Sequence, residues 1–459
     1  MSRSKKVLDR IQRALTSPET LKGELIRPFR SFFHQEASSS ILLIITTTIA
    51  FVWANLPAMD QTYHHFWETT LSFSLGDQVI AKSLRHWIDE GLMTIFFLLV
   101  GLEIKREVLV GELATVKKAL LPVGAALGGM LVPALIFTAF NHGKPTMAGW
   151  GIPVATDIAF ALGALYLLGS RVPAGLRIFL AAFAIADDLG AVLVIALFYT
   201  ETIVIPALAA ALGIILLLAF VNAAWVRNVL VYAVLGTALW VAVLFSGLHA
   251  TAAGVLLALF IPARGMYDTD KFVQEVNHFL GDITCSPDGC GFTILLNQKH
   301  LNAVQSIEVS CHHVETPLQR MEHAIQPWVA FFIVPLFGLA NAGFSLLDID
   351  LRKAAASPLT LGVAAGLFIG KPVGITLFSW LFVKLKLASL PSGVGWPHII
   401  AAGILGGLGF TMALFIDGLS FREPILLDYA KLGILAGSIL SGAAGMALLY
   451  RISTRRAAG

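Results

Sequence analysis

Twelve apolar runs follow one another between residues 39 and 450, most of them close to the roughly 20 residues a helix needs to cross a bilayer. A run of that length has little choice of structure, because in lipid every backbone N–H and C=O must find its partner inside the segment. The runs fall near 39–55, 86–102, 119–140, 149–168, 174–199, 203–221, 228–245, 248–261, 326–346, 359–383, 397–416 and 429–450. Only the eighth, ending just before Pro262, is short for a crossing. With 57% hydrophobic and 13% charged residues, about half the usual charged share, the chain is no soluble enzyme, disordered segment or nucleic-acid binder. It reads as an all-α polytopic membrane protein of about twelve transmembrane helices, with membrane lipid around it and no nucleic acid partner.

The basic residues set the orientation. With the N-terminus inside and the spans alternating, 24 Lys and Arg fall in cytoplasmic segments, seven fall outside, and Lys371 alone lies in the membrane. Lys105, Arg106, Lys117, Lys118, Arg171, Arg177, Lys384 and Lys386 occupy alternate loops, so one helix more or fewer would scramble the bias. Both termini are therefore expected in the cytoplasm. Residues 1–36 carry eight Lys or Arg and no cleavable apolar stretch, and are expected to be a cytoplasmic tail rather than a signal peptide. Within it, Arg10, Arg13, Leu15, Ile26 and Phe29 suit either a short surface helix or a solvated segment. Residues 37–263 hold spans one to eight, 264–320 a long cytoplasmic loop, 321–450 spans nine to twelve, and 451–459 a second tail. The loop contains Cys285, Cys290, Cys311, His312 and His313, whose spacing matches no zinc module closely. Reduced thiols and no cofactor are the expectation.

Charge at mid-membrane is costly, at least about 2.5 to 3.5 kcal/mol on insertion scales, so a residue that carries it lines a polar cavity or has a partner. Asp187 and Asp188 stand halfway along the fifth run, Asp157 in the middle of the fourth, and Lys371 midway along the tenth. Neighbours on a helix point about 100° apart, so one aspartate can face a cavity and the other a neighbouring helix. Two nearby carboxylates in a partly dry site repel each other and titrate together. Such a pair can hold protons or a small hard cation, with sodium or lithium as the natural competitor. If one cation expels more than one proton, transport moves net charge. Lys371 can neutralise an aspartate or face the carbonyl end of a broken helix, and the sequence does not choose. Asp157 follows Thr156 in a span opening Gly149-Trp150-Gly151-Ile152-Pro153, where a weakened helix would leave N–H groups for a carboxylate to cap. An electrostatic role is expected for it, ahead of direct ion ligation.

The eleventh run contains Gly403-Ile404-Leu405-Gly406-Gly407-Leu408-Gly409, which suits either close helix packing or a second break. Spans three to five and ten to twelve begin on opposite sides, as an inverted repeat requires. Interrupted helices at matching places in two such halves mark midplane sites in secondary transporters, a pattern established partly on the family named next.

At these residues the sequence resembles the NhaA family of bacterial sodium/proton antiporters. The resemblance runs from about Phe32 to Tyr450, apart from the 264–320 loop. It rests on Phe96-Phe97-Leu98-Leu99-Val100-Gly101-Leu102-Glu103-Ile104-Lys105-Arg106-Glu107, Ala155-Thr156-Asp157-Ile158-Ala159-Phe160-Ala161, Asp187-Asp188-Leu189-Gly190-Ala191, Gly370-Lys371-Pro372 and Gly409-Phe410-Thr411-Met412. It implies that Asp188 is the principal cation and proton carboxylate, with Asp187 as its partner and the salt-bridge mate of Lys371. It implies further that Thr156 and Asp157 sit where discontinuous fourth and eleventh helices cross, and that the exchange is of sodium or lithium for protons. A homodimer in the bacterial inner membrane is the implied setting. Residues tied to the family's pH response match Glu103, Arg106, His249, Glu322 and His323, to which Glu90 is added; His249 also suits a packing role, and Glu103 to Glu107 a solvated helix end. Glu90 stands where the family often has Asp, Gln326 where a His is common, and Asp417 is an additional acid.

Other classes fit less well. An intramembrane aspartyl protease needs carboxylates from two helices, and Asp187 and Asp188 are chain neighbours. Ser246 and His249 lack a nucleophile motif. A channel would need a selectivity ring, and none is visible. A solute symporter would keep the acids but show a larger polar pocket.

Overall fold

The computed structural model describes residues 36–57, 59–75, 78–199, 203–265, 268–283, 298–346 and 349–457. The expected tail segment from Arg10 to Phe29, together with Cys285 and Cys290, lies outside them. Nine helices among the described residues are long and apolar enough to cross a bilayer, and ten if Trp396–Leu405 and Phe410–Ser420, bent by 46°, form one span. These ten coincide with expected runs. The remaining two runs are also helical. Met93–Val110 ends in Glu103, Lys105, Arg106 and Glu107, and Ala252–Phe260 has nine residues. The short helix packs into the charged one, where a Cβ on Gly254 would meet the Thr94 carbonyl at 2.3 Å. Its last carbonyls are capped by Lys105, whose Nζ donates to Leu259 O at 2.7 Å and Ile261 O at 2.5 Å. The outward faces are apolar, as a lipid setting requires: Leu197 is 73% and Ile205 75% exposed. The chain is a multi-pass membrane protein.

Local sequence explains where the helices depart from regularity. Of the three π-helical turns among the described residues, Val329–Ile333 and Gly366–Gly370 each end two residues before a proline, and Trp87–Leu92 does not. Pro335 and Pro372 have no N–H, so the carbonyl four residues back loses its helical donor and the turn widens. The second such turn delivers Lys371. The ninth span begins earlier than its apolar run, at Pro317 rather than near 326, because Thr316 and Gln319 form a reciprocal cap. Glu322 and His323 therefore lie on the spanning helix itself.

Three further features surround the spans. Between the first two, an antiparallel hairpin pairs Thr70–Leu75 with Gln78–Ser83, a strand pair absent from the all-α expectation. Beside it, Tyr63 is buried and donates to the carbonyls of Leu339 and Ala340, both at 2.9 Å; burial pushes its phenol up to about 12. In the long loop, helices Thr269–Asp282 and Gln298–Val314 pack on each other, the latter carrying Cys311 as a free, exposed thiol. The ends of the insertion return to one place: a Cβ on Gly265 would stand 2.4 Å from the Val314 carbonyl.

The helix bearing Lys371 is pressed backbone to backbone against Val116–Asn141. A Cβ on Gly128 would lie 2.2 Å from Gly374 O, and one on Gly374 would lie 2.0 Å from Gly128 O. Backbone cannot yield as a side-chain tip can, so Gly128→Ala is expected to destabilise the protein by about 1–3 kcal/mol. Thermal unfolding in detergent measures it, and an unchanged midpoint would mean that the two helices separate freely.

Candidate functional site

Two spans are interrupted at the same depth. In the first, Pro145–Val154 is a 3-10 helix, 155–157 is extended, and an α-helix restarts at Ile158–Leu167. In the second, the helix stops at Leu405 and restarts at Phe410. The breaks bond to each other. Asp157 N donates to Leu408 O at 2.6 Å, and Thr156 Oγ1 donates to Gly406 O at 2.9 Å. Glycine makes the approach possible, since a Cβ on Gly409 would lie 2.7 Å from Ala155 O. The Asp157 carboxylate caps both restarted helices. Its Oδ1 accepts from Phe160 N at 3.1 Å, and its Oδ2 accepts from Thr411 N at 3.0 Å and from Thr411 Oγ1. One negative charge thus meets two positive helix ends.

The ionisable group sits beside this junction. Lys371 Nζ donates to Asp187 Oδ2 at 2.6 Å and to Thr156 Oγ1 at 2.8 Å, so the tenth span is tied to the fifth and to the first break at once. Asp187, Asp188, Thr156, Asp157 and Lys371 are each 2% exposed or less. Asp188 differs from the rest, for neither of its oxygens has a hydrogen-bond partner. A carboxylate buried without donors is stable only if a proton or a cation accompanies it. Among the described residues no three His, Cys, Asp or Glu converge as a resident metal centre. The chemistry available at Asp188 is the holding of a proton or of a mobile ion.

Access to Asp188 runs from one end of the molecule. A cavity of about 140 Å³ is lined by Asp188, Asp157, Thr411, Phe96, Glu103 and Gln326 among others. Next to it, sharing Ser39, Glu103, Ile158, Ala159 and Gln326, lies one of about 360 Å³ that also takes in Arg106, Glu107, Glu322 and His323. Arg106 holds this mouth together, bonded to Glu322 at 2.5 Å and to Glu107 at 3.3 Å. His323 lies 3.4 Å from Glu315. The structure brings Glu103, Arg106, Glu322 and His323 together and leaves Glu90 and His249 apart from them. Glu90 lies in the π-helical turn Trp87–Leu92 that runs into Met93–Val110, 13 residues before Glu103 and about 20 Å from it. Its Oε2 accepts from Ala250 N at 2.8 Å, and its Oε1 is 3.4 Å from His249 Nδ1; His249 Nε2 meets Tyr199 O at 2.5 Å.

Sequence reasoning overlooked three participants. Thr411 stands in a quoted motif, yet its bond to Asp157 needs the fold. Lys431 is buried near Asp417 as a second charged group, with the half-buried Asp89 as a further charged neighbour of Lys431. The adjacency of Asp89 to Glu90 was a usable signal, because neighbouring acids on a helix diverge by about 100°.

The profile of the family described as Na+/H+ antiporter 1 matches residues 30–449. A protein named Na(+)/H(+) antiporter NhaA 2 from Syntrophotalea carbinolica is 47% identical, over 94% of this chain and 98% of its own. The chain belongs to the NhaA family. Proteins named Na(+)/H(+) antiporter NhaA from Salmonella arizonae and from an Escherichia coli strain are each 46% identical, over 92% and 91% of this chain and 98% and 96% of theirs. Every residue of the junction, from Thr156 to Thr411, lies inside the NhaA match.

Proposed function

We propose that this protein is an electrogenic secondary antiporter, not an enzyme, that exchanges cytoplasmic sodium or lithium for external protons. Asp188 is the carboxylate that holds either a proton or the cation, and Asp187 is its partner. The observation that carries this reading is the buried Asp188 carboxylate, without a donor, at the inner end of a cavity with a charged mouth. Proton and cation compete because both need the same oxygens. A cation shared by Asp187 and Asp188 displaces more than one proton from the group they form with Lys371, so each cycle moves net charge.

Spans three to five and ten to twelve form an inverted repeat, and its two discontinuous helices cross at Thr156, Asp157 and the 406–409 segment. Alternating access moves this assembly against the other helices. The Glu103–Glu322 mouth is cytoplasmic, both termini are cytoplasmic, and the bilayer is the bacterial inner membrane. The positive-inside count supports that orientation. Glu90, Glu103, Arg106, His249, Glu322 and His323 set the pH response. A homodimer is supported by the two-stranded sheet, whose outer edges meet no further strand among the described residues and, apart from the Leu71 carbonyl bonded by Trp87, can be extended by a second copy.

The test is cation-triggered proton movement in everted vesicles carrying the full chain, across a pH series and with the membrane potential clamped or free. Sodium and lithium are each expected to dissipate an imposed pH gradient, faster when the potential assists. Vesicles with correctly inserted protein and no response at any pH would refute antiport.

A further inference from the structure

A second group of buried ionisable residues lies away from the Glu103 mouth, and the exchange described above does not use it. Asp417 belongs to Phe410–Ser420, six residues beyond Thr411 and so about 9 Å along the helix from the Asp157 cap. It is fully buried, and neither of its carboxylate oxygens has a hydrogen-bond partner. Charged neighbours reach it from Pro424–Ala457, which contributes Lys431 and Asp428. Lys431 is buried too, its Nζ donating to Gly343 O at 3.3 Å, with Arg85 and Asp89 as further charged neighbours. Asp89 is occupied by Asn341, whose Nδ2 donates to its Oδ1 at 2.7 Å. Tyr199, just after Ala174–Phe198, is a titratable neighbour of Asp417, and His64 on Asp60–Glu68 is a titratable neighbour of Lys431 and Asp428.

A carboxylate in this setting has two stable arrangements. It can keep a proton while Lys431 stays on the Gly343 carbonyl, or it can ionise and take the Lys431 ammonium as its counter-charge. In this structure Lys431 is bonded to the Gly343 carbonyl and makes no hydrogen bond to Asp417. The helix that carries Asp417 begins at the Thr411–Asp157 junction, so any movement of that junction also moves Asp417 relative to Lys431.

We propose that Asp417 is a second proton-carrying carboxylate of the exchanger, in series with Asp188 on the opposite side of the helix break. It takes up a proton from water when Lys431 withdraws and returns that proton to water when Lys431 replaces it. The inference rests on the sodium/proton exchange proposed above.

Infrared titration of the purified full chain is the direct test, with Asp417→Asn as the isosteric variant that cannot release a proton. The wild-type-minus-variant spectrum is expected to contain the carbonyl band of a protonated carboxylic acid that fades as pH rises. In vesicles, Asp417→Asn is expected to displace the pH of half-maximal sodium-driven exchange by about one unit, with Asp417→Glu restoring it. A missing band, or an unmoved pH profile in a variant that still exchanges, would overturn the proposal. If Asp417→Asn fails to insert, Asp417→Glu read against wild type decides by the same band, which must then shift. The infrared measurement needs no transport, so failure of the exchange reading is told apart from failure of this one.

Discussion

Asp188→Asn is expected to reduce cation-driven proton movement to the level of empty vesicles while leaving the protein as stable as wild type or more so. The two halves of that result have one cause. Asparagine keeps the shape of the side chain, but it can neither carry a negative charge nor release a proton. Because Asp188 makes no hydrogen bond, its replacement breaks nothing, and a group that is costly to bury in charged form is removed. Vesicle transport and a melting curve in detergent, made on one preparation, check both parts. Exchange at a normal rate would refute the assignment of the carrying carboxylate, and a large fall in stability would mean that Asp188 is structural.

The opposite balance is expected for Lys371→Ala. Removing the ammonium leaves Asp187 buried with no counter-charge and Thr156 without its donor. Loss of one member of a buried pair costs about 3–5 kcal/mol, whereas replacing both members by neutral groups costs far less. The single variant should therefore unfold at a clearly lower temperature, and Lys371→Ala combined with Asp187→Asn should recover most of the loss. A double variant no more stable than the single one would show that Lys371 acts through packing rather than charge. Transport by the single variant distinguishes the two jobs left open by the sequence. A displaced pH profile marks Lys371 as the counter-charge of the carrying pair, and an unmoved one favours the other job, facing the end of the broken helix, where it bonds Thr156.

Much of the architecture was legible before any coordinates. Proline and glycine in Gly149–Pro153 and Gly403–Gly409 announce weak helix; the first segment is a 3-10 helix that gives way at 155–157, and the second breaks between Leu405 and Phe410. Adjacent aspartates announce two directions, and Asp187 turns to Lys371 while Asp188 lines the cavity. Other features were legible only in part. The ninth span starts at Pro317 because its first turns are amphipathic, and a search for continuous apolarity passes over them. The hairpin at 70–83 lies outside the twelve apolar runs, and its two six-residue strands separated by two residues are outweighed by the long runs on either side.

The chain alone determined the order of its apolar runs and which residues must be excused from lipid, and its basic residues predict an orientation. These follow from one dominant energy, the cost of polar atoms in hydrocarbon, which acts on each segment separately. Only the tertiary structure decided which excused residues meet. Thr411 reaches Asp157 across 254 positions and Lys371 reaches Thr156 across 215, while Glu90 and Glu103, close in sequence, part company, the one bonding Ala250 and the other lining the cavity at Asp188. Lipid tails and helix faces are equally apolar, so hydrophobicity cannot select partners among spans. Close glycine contacts and buried polar bonds make that selection, and both exist only once the helices are side by side.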